Sequence, residues 1–158
     1  TGRLLKAMGA NILAWSRTQK QEAVEAGFSY VALDELLVKS DILSLHVPLN
    51  ADTEHLIGQR ELALMQPHAI LINTARGKVV DNEALAMALR SEKLGGAAID
   101  IYEMEPPLPP DYPLLDSPNT ILLPHIGYAS KEALALRAEI VIENVFSWME
   151  GKPLRVVS

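Results

Sequence analysis

The sequence predicts an α/β fold built on a doubly wound parallel sheet. Two observations carry that prediction. Short apolar runs, such as Ala69 to Asn73 (AILIN) and Thr120 to Leu123 (TILL), lack the polar alternation of a strand with one wet face. Helical patterns separate these runs, which supplies the crossovers that parallel strands require.

The elements follow in order. Leu4 to Met8 reads as the end of a helix stopped by Gly9, and Asn11 to Trp15 as a strand. Gln19 to Ala26 is helical and ends at Gly27, a C-cap signal. Tyr30 and Val31 read as a short strand, and Asp34 as the N-cap of a helix over Glu35 to Lys39. Asp41 to Val47 (DILSLHV) is a strand ended by Pro48. Gly58 to Leu64 is a helix closed by Met65-Gln66-Pro67, and Ala69 to Asn73 the next strand. Asn82 to Ser91 is a helix with Asp81 or Asn82 at its start. Ala97 to Ile101 and Thr120 to Leu123 are strands, joined by a Pro-rich loop from Glu105 to Asn119. A loop that long inside a domain is usually functional. Ser130 to Glu150 is one long helix, ended by Gly151 and Pro153.

Composition narrows the function classes. The 158 residues are one domain's length, with 49% hydrophobic and 22% charged residues, which is globular composition. There is no cysteine, which excludes disulfides, thiolate metal sites and a cysteine nucleophile. A net charge of −6 without clustered Lys or Arg disfavours nucleic acid as a partner. No apolar run is long enough to span a membrane, and the N-terminus has no signal-peptide pattern, so the default compartment is the cytoplasm. His46, His55, His68 and His125 are scattered without metal-ligand spacing, so no metal site is expected.

In a doubly wound sheet, ligands sit beyond the carboxyl ends of the strands. The first such end carries Ser16 and Arg17, followed by Thr18 and Lys20, with no acid. In a dinucleotide-binding domain this end meets the adenosine ribose, and a hydroxyl beside a guanidinium suits a 2′-phosphate. The alternative is a solvated polar turn. His46-Val47-Pro48-Leu49 follows the second end, and by itself is a structural corner. Asn73-Thr74-Ala75-Arg76-Gly77 follows the most apolar strand. An arginine there needs an anionic partner, either a ligand carboxylate or a nearby Asp or Glu. Asp100 lies in an otherwise apolar strand, where a carboxylate needs a donor. Paired with His125, in Leu123-Pro124-His125-Ile126-Gly127, such an acid would favour the imidazolium. An arginine, an acid and a histidine at three successive strand ends form an oxidoreductase-like constellation.

Four motifs carry a family likeness: DILSLHVPLNADTEHLIG (41–58), ALMQPHAILINTARGKVVDNEAL (63–85), GGAAIDIYEMEP (95–106) and NTILLPHIGYAS (119–130). The chain resembles the cofactor-binding domain of the D-isomer-specific 2-hydroxyacid dehydrogenases, over nearly its whole length. The resemblance implies a Rossmann-type sheet and an NAD(P)-dependent hydride transfer between a 2-keto acid and a D-2-hydroxy acid. It implies that Arg76 binds the substrate carboxylate and that His125 is the general acid/base. Glu105 matches the acid that hydrogen-bonds that histidine; it stands five residues after Asp100, so Glu103 is not the match. Asp100 resembles the residue near the nicotinamide end of the cofactor. Val47, Pro48, Thr53, Thr74 and Ala75 fall at positions that line the dinucleotide. Ser16 and Arg17 stand where NAD-preferring members carry an acid, so the likeness leans towards NADP, as in a glyoxylate/hydroxypyruvate reductase type.

Two departures from the family pattern are expected to matter. The glycine-rich GxGxxG turn and the strand before it are expected to precede Thr1, and without that strand two strand edges would be open. The substrate domain, too, is expected to lie outside this stretch. Residues 1–150 are thus expected to be a truncated dinucleotide-binding domain, and residues 151–158 a segment returning towards the substrate domain. This stretch alone is expected to be inactive, and the parent to be a homodimer. The alternative is a dinucleotide-sensing, co-repressor-like binding protein without metabolic catalysis.

Overall fold

In the computed structural model, which describes residues 1–104 and 107–156, every strand pairing is parallel. Glu105 lies outside the described residues. The chain divides into two compact units, Thr1–Pro124 and His125–Ser158.

The first unit begins with α1 (Gly2–Ala7), β1 (Leu13–Ala14), α2 (Gln21–Glu25) and β2 (Ser29–Tyr30). It continues with α3 (Leu33–Lys39), β3 (Ile42–Leu45), α4 (Gln59–Leu64) and β4 (Ile70–Asn73). A single 3-10 turn (Gly77–Val79), α5 (Asn82–Arg90), β5 (Gly96–Ile99) and β6 (Thr120–Leu122) complete it. The main sheet has the order β3-β4-β5-β6, and β1 pairs with β2. Among the described residues the six strands therefore form a quartet and a pair rather than one continuous sheet. Among the described residues neither β1 nor β3 has a strand on its second edge.

The register runs Leu45–Asn73–Ile99–Leu122 across the quartet, so the carboxyl ends of all four strands lie at one edge. Three crossovers of the unit contain helices, as expected. The fourth, β5 to β6, contains none over the described residues 100–104 and 107–119. Its length alone meets the dozen or more residues that a parallel connection needs.

One expectation is corrected by burial. The strands were expected to be covered on both faces. Leu43, Leu45, Leu71, Ala97 and Ile99 do enter one core with Leu36 and Leu37 of α3, Leu62 of α4, and Leu85 and Leu89 of α5. Their neighbours on the other face, Ile42, Ile70 and Ile121, are 56%, 41% and 63% exposed. An apolar run licenses burial on both faces but does not supply the second layer.

Helix starts follow their side chains. Asp81 caps α5, its Oδ1 accepting from Ala84 N at 3.0 Å. At α4 the Glu61 carboxylate accepts from Gly58 N at 3.2 Å. Asp34 is not the cap of α3: Ala32 holds that place, and Asp34 and Glu35 occupy the first turn, where carboxylates favour the helix dipole. Asp34 instead pairs with Arg60 of α4, which also binds Glu61.

In the second unit, Ser130 caps α6 (Lys131–Met149), its Oγ accepting from Ala133 N at 3.1 Å. Arg155 folds the tail back by donating to Asn144 and Glu143 at 2.8 and 2.7 Å. Among the described residues, no helix is long and apolar enough to cross a membrane.

Candidate functional site

The loop that leaves β3 is organised by its own side chains. Pro48 ends the strand, having no N–H for a ladder. Thr53 Oγ1 donates to Pro48 O at 2.6 Å and accepts from Asn50 N at 2.9 Å, so the buried threonine closes the turn. Further on, His55 N donates to Lys78 O at 2.7 Å, Ile57 N to Val79 O at 3.1 Å and Asp81 N to Ile57 O at 3.0 Å. These three bonds lace the β3 exit loop to the β4 exit loop.

The β4 exit turns on Asn73, the last residue of the strand and fully buried. A buried amide must find partners. Its Oδ1 accepts from Ala75 N and its Nδ2 donates to Arg76 O, each at 3.0 Å. Gly77 follows and lies against the next strand's exit: a Cβ there would come within 1.8 Å of Tyr102 O. Only glycine fits, and the fit fixes the backbone beside Arg76. The Arg76 side chain is exposed, and its Nη1 donates to Ala75 O at 2.6 Å. Among the described residues no carboxylate pairs with it, so the internal ion pair left open by the sequence does not form there. A groove lined by His46, Val47, Pro48, Thr74, Ala75 and Arg76 opens between the two loops.

Asp100 is buried just after β5, and its N–H donates to Asn73 O at 3.0 Å. Burial pushes the Tyr102 hydroxyl above the usual tyrosine range, and the Asp100 charge acts in the same direction. Beyond it, Glu103 Oε1 accepts from Asn82 Nδ2 at 3.0 Å. The same Nδ2 donates to Tyr112 Oη at 2.9 Å. Tyr102 and Tyr112 pack edge to face with centroids 5.8 Å apart. Burial also raises Tyr112, opposed by hydrogen bonds from Glu103 N–H and Asn82.

At the end of β1, Ser16 Oγ donates to Thr18 O at 2.7 Å. The Arg17 guanidinium reaches Asp52 in the β3 exit loop at 3.4 Å, with both side chains largely exposed.

His125 opens the second unit, and is described within it. Its φ is +58°, in the left-handed region. Histidine tolerates that region better than most residues, but the conformation still costs about 1–3 kcal/mol. Held strain of this kind clusters at functional sites. Its ring meets Tyr128 edge-on at 6.0 Å, and Arg137 stands 5.4 Å from the Tyr128 centroid.

Of the residues singled out from sequence, Val47, Pro48, Thr74, Ala75 and Arg76 thus line one groove, with Thr53 bonded to the Pro48 carbonyl. Ser16 and Arg17 sit at β1, Asp100 beside Asn73, and His125 in the other unit. Sequence reading gave no site role to Asn73, Gly77 or Asn82, and set Glu103 aside in favour of Glu105. For Asn73 a signal existed: it is the polar residue that closes an otherwise apolar strand. Among the described residues no group of His, Asp or Glu could hold a metal ion.

The family model for the D-isomer specific 2-hydroxyacid dehydrogenase NAD binding domain matches residues 1–127. A glyoxylate reductase of Korarchaeum cryptofilum is 44% identical over 151 residues, 95% of this chain and 45% of that protein. The crystal structure of a glyoxylate reductase from Paecilomyes thermophila superposes with a TM-score of 0.82 at 41% identity, covering 97% of this chain and 46% of that one. A D-lactate dehydrogenase from Aquifex aeolicus, solved with NAD and lactic acid, gives 0.86 at 32% identity, covering 95% and 50%. The chain spans about half the length of the curated relatives it matches.

Proposed function

The chain belongs to the D-isomer-specific 2-hydroxyacid dehydrogenases as their NAD-binding domain, and from that premise we propose that the whole protein interconverts a small 2-keto acid and its D-2-hydroxy acid with NAD(P)H. The observation that carries the proposal is Arg76. It stands at the lip of a groove beyond parallel strand ends, its side chain exposed and without a carboxylate partner among the described residues. A planar guanidinium so placed takes a substrate carboxylate in a two-pronged grip.

The groove suits a dinucleotide. Val47 and Pro48 offer an apolar edge to a flat ring, while Thr74 offers an exposed hydroxyl. When bound, the reduced nicotinamide supplies the hydride to the keto carbon. Arg76 orients the keto acid and draws electron density towards its carbonyl oxygen. His125 gives that oxygen its proton, and takes it back in the reverse direction. The family likeness assigns to Glu105 the role of hydrogen-bonding the imidazolium. By the family likeness Asp100 would serve the nicotinamide end, and Thr53 would support that wall through its bond to the Pro48 carbonyl. Ser16 and Arg17, with no acid next to them in sequence and Asp52 only at 3.4 Å across an exposed pair, favour the 2′-phosphate of NADP over a bare ribose.

In this reading residues 1–150 form the dinucleotide-binding domain, residues 151–158 lead towards a substrate domain, and the whole protein is a cytoplasmic homodimer. The experiment is turnover of the whole protein with glyoxylate, hydroxypyruvate and pyruvate, using NADH and NADPH. Arg76→Ala and His125→Ala should each abolish turnover while cofactor binding persists. Full activity in either variant overturns its assignment.

A further inference from the structure

We propose that Glu103, Asn82 and Tyr112 form a positioning cluster that sets where Arg76 presents its guanidinium; this rests on the reading of Arg76 as the carboxylate anchor. The cluster acts through the backbone. Gly77 has no space between its Cα and the Tyr102–Glu103 peptide: a Cβ would lie 1.8 Å from Tyr102 O and 2.4 Å from Glu103 N. The residue next to Arg76 is therefore in direct contact with the β5 exit segment, and wherever that segment moves, Arg76 moves too.

Three ties hold the segment in place. At its start, Asp100 N donates to Asn73 O at 3.0 Å. In the middle is the Gly77 contact. At its end, Glu103 Oε1 accepts from Asn82 Nδ2 at 3.0 Å and lies 3.4 Å from Asn82 N. Asn82 begins α5, and so closes the loop on which Arg76 stands. The Glu103 carboxylate also sits at that helix's N-terminus, where the exposed N–H groups favour negative charge. Tyr112 takes the other proton of the Asn82 amide at 2.9 Å and buttresses Tyr102 with its ring. Asn82 and Tyr112 are buried, so the bond between them is shielded from water, while Glu103 reaches the Asn82 amide from an exposed position.

Release of the Glu103 tie lets the exit segment draw away from Gly77 and removes the support of the Arg76 turn on that side, leaving Asn73 and the lacing to the β3 exit loop to hold it. A displacement of about 1 Å at a substrate-positioning group can cost up to a hundredfold. The loss falls on the carboxylate, because neither Glu103 nor Asn82 lines the groove.

The test uses the whole protein and oxamate, an unreactive analogue of a 2-keto acid carboxylate. Glu103→Ala should raise KM for the 2-keto acid and weaken oxamate roughly tenfold, with NAD(P)H affinity unchanged and kcat altered much less. Glu103→Gln retains an acceptor for Asn82 and should restore both values to near wild type. Asn82→Asp sets a carboxylate against Glu103 and should reproduce the loss; it decides the question if Glu103→Ala does not fold. Oxamate affinity and KM unchanged in Glu103→Ala, or in Asn82→Asp, overturn the proposal whatever happens to the melting temperature. If the wild type neither reduces a 2-keto acid nor binds oxamate, the functional reading fails and takes this proposal with it.

Discussion

Asn73 holds the turn of Arg76 from inside the sheet: its Nδ2 donates to the Arg76 carbonyl at 3.0 Å while its Oδ1 accepts from Ala75 N at the same distance. One buried amide thus satisfies two main-chain groups and fixes the path of the backbone on both sides of Ala75. Asn73→Ala leaves Ala75 N without its partner, at about 1–3 kcal/mol if it stays dry, and leaves the Arg76 carbonyl only the Val79 N–H at 3.2 Å. The expected result is a lower denaturation midpoint together with a raised KM for the keto acid. Asn73→Asp keeps the acceptor for Ala75 N and loses only the donor, so it should fall between the two. An Asn73→Ala protein as stable as wild type refutes this account of the turn.

Of the glycines described in the first unit, Gly77 comes closest to neighbouring backbone, at Tyr102. The neighbour that a Cβ would meet is a carbonyl oxygen, not the end of a flexible side chain. Relief therefore requires the main chain to move. Gly77→Ala should destabilise the domain by about 1–3 kcal/mol, as overpacking does elsewhere, or by more because backbone must yield. Urea denaturation measures this directly. A midpoint within error of wild type means that the two exit segments are not locked together.

How much of this was legible in the sequence depended on the scale of the signal. Short apolar runs with helices between them were enough for the parallel sheet, because burial and crossover length are local properties. Asp81 and Ser130 announced their helices, each having a side chain that can bond two or three residues ahead. Strand limits were legible only in part. Asn11 to Trp15 reads as a strand, but β1 covers Leu13–Ala14 alone, since β2 offers just Ser29 and Tyr30 as partners. A strand's length is set by its neighbour, and no local pattern reports the neighbour. Arg76 was legible as a cation at a strand end. The contacts that hold it, Gly77 against Tyr102 and Asn82 against Glu103, join positions about 20 residues or more apart and leave no trace in periodicity.

Arg17 and Asp52 bring a testable specificity argument. The guanidinium proposed for the 2′-phosphate of NADP lies 3.4 Å from the Asp52 carboxylate. Both side chains are exposed, so the pair itself is weak, at about 0–1 kcal/mol. Asp52 nonetheless competes with a phosphate for the same donor. Arg17→Ala should weaken NADPH binding about tenfold, equivalent to roughly 1.4 kcal/mol, and leave NADH nearly unchanged. Asp52→Asn should strengthen NADPH modestly. The NADPH preference should also fall with added salt, which screens exposed charges. Titration by nicotinamide fluorescence measures all three. If NADPH affinity is unchanged in Arg17→Ala, the 2′-phosphate assignment fails.

Tyr112 and Tyr102 predict where the domain loses stability in alkali. Burial raises both hydroxyls above the ordinary tyrosine value, with the charges of Glu103 and Asp100 adding to the effect. The sign follows from proton linkage. The folded protein holds these protons at a pH where the unfolded chain, near pH 10, has begun to release them. The contribution is therefore fully present below about pH 10 and is lost as pH rises through the folded values. Tyr112→Phe removes one of the two titrating groups. It lowers stability at neutral pH, because Asn82 Nδ2 loses an acceptor, so the informative quantity is the slope of stability against pH and not its level. Between pH 10 and 11 that slope should be shallower in Tyr112→Phe than in wild type, and shallower still with Tyr102→Phe added. Chemical denaturation at stepped pH gives the slope. Equal slopes in all three proteins mean that neither hydroxyl is buried as described.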